Sequence, residues 1–563
     1  MVDPTIVDTY KVGKEGFIVG LCEALGLPET INQALESVNG RPTGIPYGVD
    51  AMIMMVNMCH DHRPLYRIRE YYEDTDLEGL FHYPVQLEQL NDDRFGGFLD
   101  LFYEAGCRKL FTQISAKAVT QYGIEIKNIN FDTTSKVMWG EYETYEGTLG
   151  VVQMDFGHSK DHRGDKKQIK YGIGCANGLV VDAHVLSGNK DDKTYNKDTL
   201  NELDSTLRNL NVKKDSFYYI ADSALFSEDN LTIAADKDIK LITRMPDNVL
   251  VAKSSMEEAL GKLESLQTIT INNSKEKGSK YRIMEKTCEY AGHNLSLVVC
   301  YSESLRPSKE QTIRKATTKE GESISGIIKK LSKREFACEE DANLEITKLL
   351  KTDKVLKKAK FHDVTYSVRK EVRRGRGRPS KTEDESSVLG YKYFVDITAI
   401  ANEQKITYEI DRASCFVLCS NDTALHGESM LYEYKTQDTV EKKFQQLKSP
   451  QFVNSIYLES PKRIEAFSYL MMLCMLMLSL AEYVVRRGLQ EDNDVILGPN
   501  KRKMKRPTQR VIYDIFYSVR IRIVRYPDKP WERTYAKPLN DSIKKVLKYL
   551  HIPEDTFIMG RRN

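Results

Sequence analysis

The sequence predicts an α/β fold, and three observations carry that prediction. Between residues 121 and 246, short apolar runs that each end in polar or turn residues (IKNINFDTT, LGVVQMDFG, LVVDAHVLSG, SFYYIADSA) enclose one helical stretch, KTYNKDTLNELDSTLRNL. Three strands, a helix and a fourth strand form the first part of an α/β core. Residues 1–120 instead have helical periodicity, as in FIVGLCEALGL and VDAMIMMVNMCHD, without long β-branched alternation, and read as a helical N-terminal domain, a candidate for DNA contact. From residue 247 to 410 the chain turns β-rich and lysine-rich (LQTITINN, KYRIMEKTCEY, HNLSLVVCYS, FHDVTYSVR, YKYFVDITA), as a domain inserted into the core would. Residues 411–495 resume the core, and 496–563 form a basic region expected to be mostly helical.

Within the insertion, RRGRGRPSKTEDESS (373–387) is too polar and glycine-rich to pack and reads as a flexible arm. No internal repeat is evident. With 563 residues, 41% hydrophobic and 29% charged, the composition is that of a soluble protein of two to four domains. The net charge of +2 conceals an uneven distribution, because residues 501–563 hold 17 lysines and arginines against 6 aspartates and glutamates. Such a region suits a polyanion, or an acidic neighbour.

The ten cysteines are scattered, which fits reduced, mostly buried thiols better than a disulfide framework or a zinc site. The N-terminus lacks an apolar signal core, so no export is indicated and a cytoplasmic protein is expected. AFSYLMMLCMLMLSLA (466–481) is apolar on every side but short of the roughly 20 residues that span a bilayer. A central buried helix is expected there, and no membrane partner.

The most informative spacing is in YEYKTQDTVEKKFQQLK, where Tyr434, Gln437, Glu441 and Lys448 project within roughly 60° of one another on a helix. A carboxylate between a cation and a hydroxyl suits a metal and a phosphodiester; a solvated face with Phe444 and Leu447 turned to the core is the plainer alternative. Asp132 closes the strand-like NINF and Asp222 closes FYYIA, at the rim where open α/β sheets place their sites. Either aspartate alone also fits a turn or a helix cap.

Together these pieces resemble a family. Asp132 in NINFDTTS, Asp222 in YYIADSALFSEDN and Glu441 in YKTQDTVEKKFQQLK are similar to the Asp, Asp, Glu triad of DDE transposases, which have a ribonuclease-H-like catalytic core. The resemblance points to bacterial and archaeal insertion sequences of the insertion-sequence-four-like superfamily, whose third carboxylate lies in a Tyr, Arg, Glu, Lys signature. Their large β-strand insertion between the second Asp and the Glu is matched here by a gap of 219 residues. GHSKDHRGDKKQIKYG, SGNKDDKT, LITRMP and SPKRIEAFSYLMMLCMLMLSL extend the similarity over residues 120–485. Gln437 departs from the signature: an amide offers neutral hydrogen bonds where arginine clamps phosphate bidentately, and Lys435 and Arg163 are candidate replacements.

The resemblance implies an enzyme that cleaves transposon ends and transfers them into target DNA with two Mg²⁺ ions, Mn²⁺ being able to substitute. Asp132 would bridge the ions, with Asp222 and Glu441 each completing one. Tyr434, Gln437 and Lys448 would hold end phosphates, with Lys160, Arg163, Arg244, Arg376 and Arg378 as further contacts to double-stranded DNA. A homodimer is expected, since two ends are processed together. A metal-dependent endonuclease on the same core and a catalytically idle DNA-binding remnant are the alternatives.

Other residues offer rival sites. Asp155, His158, Asp161, His162 and Asp165 suggest a zinc or iron centre, but the interleaved glycines and lysines suit an exposed basic loop. Glu465 lacks the companion Tyr and Lys and reads as a residue of the first turn of the apolar helix. GRGRP (375–379) has the form of a minor-groove arm, or of a linker. The resemblance implies a tryptophan in the insertion that stacks on a flipped base, but the only tryptophans, Trp139 and Trp531, lie outside it; Tyr393 or Phe394 is the candidate to stack instead.

Overall fold

The apolar run forms the middle of a 31-residue helix, Pro461–Glu491, in the computed structural model of the chain. The structure describes all residues except 1–5, 43, 61, 143–149, 162, 272–277, 375–387, 450, 451, 453, 454, 527–530 and 561–563. Proline at the first helical turn starts the helix without wasting a donor. Asn493, at φ 45°, ends it, with the Asp494 and Asn493 amides returning to Leu489 and Gln490. By length and composition this helix could cross a membrane, yet 94% of its apolar window is buried inside the protein. One side packs on the core sheet and another on the helices Tyr47–His60, Asp92–Glu104 and Cys107–Gln121.

The N-terminal region is helical apart from one short strand, β1 (Ile6–Lys11). The core strands are β2 (Asn128–Val137), β3 (Gln168–Ala176), β4 (Leu179–Ser187), β5 (Tyr218–Ala221) and β6 (Lys240–Met245). Of segment 247–410, β7 (Gln267–Ile271), β8 (Ser279–Tyr290) and β9 (His293–Ser302) join the same sheet, whereas β10 (His362–Arg374) and β11 (Val388–Ala401) form a separate hairpin. That hairpin packs on the helices Arg306–Leu331 and Glu339–Thr352 around a small core including Leu331, Phe336, Ile346, Val395 and Ile397. With β12 (Cys415–Ser420) the main sheet has nine strands among the described residues, in the order β4-β3-β2-β5-β6-β12-β9-β8-β7. Of its strand pairs, β2–β5 and β5–β6 are parallel and the others antiparallel.

Three expectations change. The second core strand is QIKYGIGCA and not LGVVQMDFG, which contributes one isolated bridge, Asp155 to Gln168. The glycines in QIKYGIGCA hide it: a Cβ on Gly172 would meet the Tyr195 ring at 2.3 Å, so close packing selects glycine inside a fully buried strand. The region 496–563 is mixed and not mostly helical. Its RIRIVR segment becomes β15 (Arg520–Arg525), between β1 and β16 (Glu532–Tyr535), after a short pair β13 (Ile496–Leu497) and β14 (Lys503–Met504). Finally, the expected single signature helix is two, Gly427–Lys435 and Asp438–Leu447.

All ten cysteines are free thiols and eight are buried. The N- and C-terminal regions are tied by a bidentate pair in which Arg533 of β16 reaches Asp76 at 2.7 and 3.0 Å, with both side chains almost fully buried. Removing one partner strands the other charge away from water. Asp76→Ala is expected to cost about 3 to 5 kcal/mol in denaturant unfolding. A loss below about 1 kcal/mol, the surface-pair range, would contradict this role.

Candidate active site on the parallel strands

Register places the first two carboxylates. Phe131 of β2 pairs with Ala221 of the parallel β5, so Asp132 and Asp222 are the next residues on adjacent strands and share one side of the sheet. Ala221 in turn pairs with Thr243 of β6, which puts Arg244 at the next step of the same row. Contrary to expectation, Asp132 does not close its strand: β2 continues to Val137 along β3, and what ends at Phe131 is the pairing with β5. Asp222 caps the turn Ser223–Leu225 through the Ala224 amide at 3.0 Å, and the Thr243 hydroxyl donates to its backbone carbonyl at 2.6 Å.

Charge at this spot is costly. Burial pushes the Asp132 carboxyl up to about 6; the Lys160 ammonium at 3.1 Å opposes the rise and the neighbouring Asp222 adds to it. Asp222 is also raised, chiefly by burial. Lys160 donates to the Thr133 carbonyl as well, and its own amide is held by the Ser135 hydroxyl at 3.0 Å. The basic loop thereby lays a cation on the aspartate pair.

Residues that sequence reasoning missed complete the surroundings. Asp192 accepts from the Thr133 hydroxyl at 2.5 Å and from the buried Lys170 ammonium at 2.6 Å. Burial opposes ionisation of Asp192, but these two donors outweigh it and hold the carboxyl below the usual range. Lys136, buried on β2, is lowered to about 8 by burial, with Asp161 opposing and Lys448 assisting. Position within SGNKDDKT was the only signal for Asp192, and nothing in the sequence marks a lysine inside an apolar strand.

Of the signature residues, Tyr434 lies in the field of Asp132 and Asp222 and Lys448 pairs with the loop residue Asp161, whereas neither aspartate has Glu441 or Gln437 as a partner among the described residues. The chain tightens at Thr436 and Gln437 without leaving right-handed helical dihedrals: i to i+3 bonds run from Gln437 to Tyr434 and from Val440 to Gln437, and the Thr436 hydroxyl donates to the Glu433 carbonyl at 2.6 Å and accepts from the Asn130 amide at 2.8 Å. Tyr434 is half-buried, and its hydroxyl is raised by burial, opposed by Arg244 and assisted by Asp222, Asp132 and Glu441. It thus sits within the field of all three carboxylates. Glu441, in the first turn of Asp438–Leu447, is exposed and makes no ion pair among the described residues. Lys448 pairs with Asp161 at 2.6 Å. Gln437 is half-buried, and Lys435 lies over the Tyr281 and Phe416 rings at 5.1 Å each.

Arg163 is held by Asp165 through two bonds of 2.8 Å and lies 5.3 Å from the ring of the exposed Trp139. Arg244 bonds Asp247 at 2.9 and 3.0 Å. Arg376, Arg378 and His162 lie outside the described residues.

Among the described residues, no group of three His, Cys, Asp and Glu side chains is placed to hold a metal ion. The rival loop carboxylates each have another partner: Asp155 accepts from Asn189, Asp161 from Lys448, and Asp165 from Arg163. Glu465 lies one turn further into its helix than expected; burial raises it to about 7, and one of its oxygens has no hydrogen-bond partner.

A family described as a domain of unknown function, DUF4277, matches residues 7–116. No curated protein matches the chain. Among solved structures, the cryo-EM structure of a piggyBac transposase synaptic complex with hairpin DNA is similar over 89% of this chain and 78% of that one. The identity is 10% and the TM-score 0.35, a distant likeness.

The raised Asp132 carboxyl gives a pH prediction with a definite sign. Folded, it titrates near 6, whereas an unfolded aspartate titrates at about 3.9, so the folded chain retains a proton through that window. The penalty for ionising it is absent below about pH 4 and full above about pH 6. Asp132→Asn is therefore expected to stabilise the chain by up to about 3 kcal/mol at pH 8, with the gain vanishing near pH 4. Denaturant midpoints at the two pH values check it, and destabilisation at pH 8 would contradict it.

Proposed function

We propose that the chain is a DNA transposase that cleaves at the ends of a mobile element and joins them to target DNA by metal-assisted phosphoryl transfer. The observation that carries this reading is the matched register of Asp132 and Asp222 on adjacent parallel strands, beside a cation-rich loop. The strand order β4-β3-β2-β5-β6, antiparallel on one side of β2 and parallel on the other, supports a ribonuclease-H-like core. The domain matched over residues 7–116 is one found in transposases.

The donors are carboxylate oxygens, the set that hard divalent cations such as Mg²⁺ or Mn²⁺ take, and Lys160 marks where positive charge is already accommodated. Asp132 and Asp222 would hold the ions, with Glu441 as the carboxylate that completes the set. A divalent ion held by these residues would supply activation of a water or a 3′-hydroxyl near neutral pH and neutralisation of charge on the leaving oxygen. The chain's own cations hold the phosphates: Lys160 from the loop, Lys136 and Lys448 around Asp161, and Arg244 on β6. Tyr434, raised by burial and by the three carboxylates, stays protonated and donates to a phosphate oxygen. A homodimer would hold the two ends together.

The test uses purified protein, Mg²⁺, labelled duplexes from either side of the coding region, and a target plasmid. Joined products are expected with the unaltered chain and none with Asp132→Asn, Asp222→Asn or Glu441→Gln. Cleavage without joining would favour the endonuclease, and joining by Asp132→Asn would overturn the site.

A further inference from the structure

The three-stranded sheet β1-β15-β16 has two faces of opposite electrostatic character. On the inner face every cation is matched: Arg533 by Asp76 at 2.7 Å, and Arg525 by Asp8 at 3.3 Å and the Tyr10 hydroxyl at 2.7 Å. The apolar residues Ile521 and Ile523 share that face and are buried. On the outer face Arg520 stands opposite Lys11, and Arg522 stands opposite Thr9 on one strand and Thr534 on the other. All five of these residues are exposed, and among the described residues neither Arg520 nor Arg522 has an ion pair; the one acid among the described strand residues of that face, Glu532 opposite Val524, accepts from the Tyr526 hydroxyl at 3.2 Å. Lys11 lies 3.2 Å from the ring of the exposed Tyr517.

Like charges directly opposite on neighbouring strands destabilise a sheet. The fold pairs every inner cation with an anion but leaves the Lys11/Arg520 juxtaposition without one, Lys11 resting only on the Tyr517 ring, with short hydroxyl residues beside Arg522. Nothing in folding this sheet requires that outer row, since Ile521 and Ile523 already supply its core packing. A row of cations flanked by threonine hydroxyls on an open surface is what a phosphate backbone fits, because both groups donate to phosphate oxygens.

We propose that this outer face is a second DNA-binding surface, in which Lys11, Arg520 and Arg522 bind the phosphates of a duplex independently of sequence. The proposal rests on the transposase reading for its choice of DNA as the polyanion. It adds a surface assembled from both ends of the chain, distinct from the residues around Asp132 and Asp222.

The test is duplex binding by the full-length protein without divalent metal, followed by fluorescence anisotropy over a range of salt with a random-sequence duplex. For Lys11→Ala/Arg520→Ala/Arg522→Ala, the slope of log affinity against log salt should become shallower by about 0.9 for each phosphate that is no longer neutralised. Affinity at low salt should fall by at least about tenfold, since each neutralised phosphate carries part of the salt-dependent binding. Lys11→Arg/Arg520→Lys/Arg522→Lys should keep the slope, which a folding defect would not. An unchanged slope in the alanine variant overturns the surface while leaving the transposase reading intact. Absence of duplex binding by the unaltered chain overturns both, and a preference for single-stranded RNA over duplex DNA overturns the choice of partner.

Discussion

Burial of the Pro461–Glu491 helix is the constraint on which the rest of the structure depends. A helix apolar on every side must be covered on every side, and neither the sheet nor the N-terminal helices can do so alone. Each Leu, Met or Phe enclosed contributes about 1.5 to 3 kcal/mol, enough to fix the helix as a central pillar. Its few polar groups then set positions. Ser479 accepts from the Val180 amide at 3.2 Å and Ser468 meets the Tyr171 hydroxyl at 3.2 Å, which attaches β4 and β3. Glu482 accepts from the buried Lys443 at 3.0 Å, which attaches the helix carrying Glu441. Carboxylates separated by 219 residues are thereby referred to one rigid element.

What the pillar positions is electrostatically unfavourable. Asp132 and Asp222 are half-buried next to each other, and the chain supplies Lys160 and Lys170 around them without neutralising Asp132 fully. A carboxyl held near 6 lowers stability at neutral pH, a cost that packing elsewhere must offset. Such a site gains from any cation that enters it, which is the physical link between the fold and the metal-assisted chemistry proposed for it.

Much of this was legible in the sequence. NINFDTT and FYYIADSA announced β2 and β5 through their β-branched and aromatic runs, and the polar residue ending each run located the carboxylates. The apolar run announced the buried helix. What was not legible depended on neighbours distant in sequence. β3 was masked by glycines whose reason is the Tyr195 and Phe131 rings. The tightened turn between the signature helices lies where Asn130, some three hundred residues away, bonds Thr436. Lys170 and Lys136 gain meaning only beside Asp192 and Asp161, and β1 only beside β15.

The central claim is that Asp132 and Asp222 together bind the catalytic cation, and anomalous diffraction from crystals soaked in Mn²⁺ tests it most directly. The claim predicts a Mn²⁺ peak liganded by both aspartates, with Lys160 displaced from Asp132, and loss of that peak in Asp222→Asn. Crystals in which Lys160 remains on Asp132 and Mn²⁺ binds only elsewhere would contradict it.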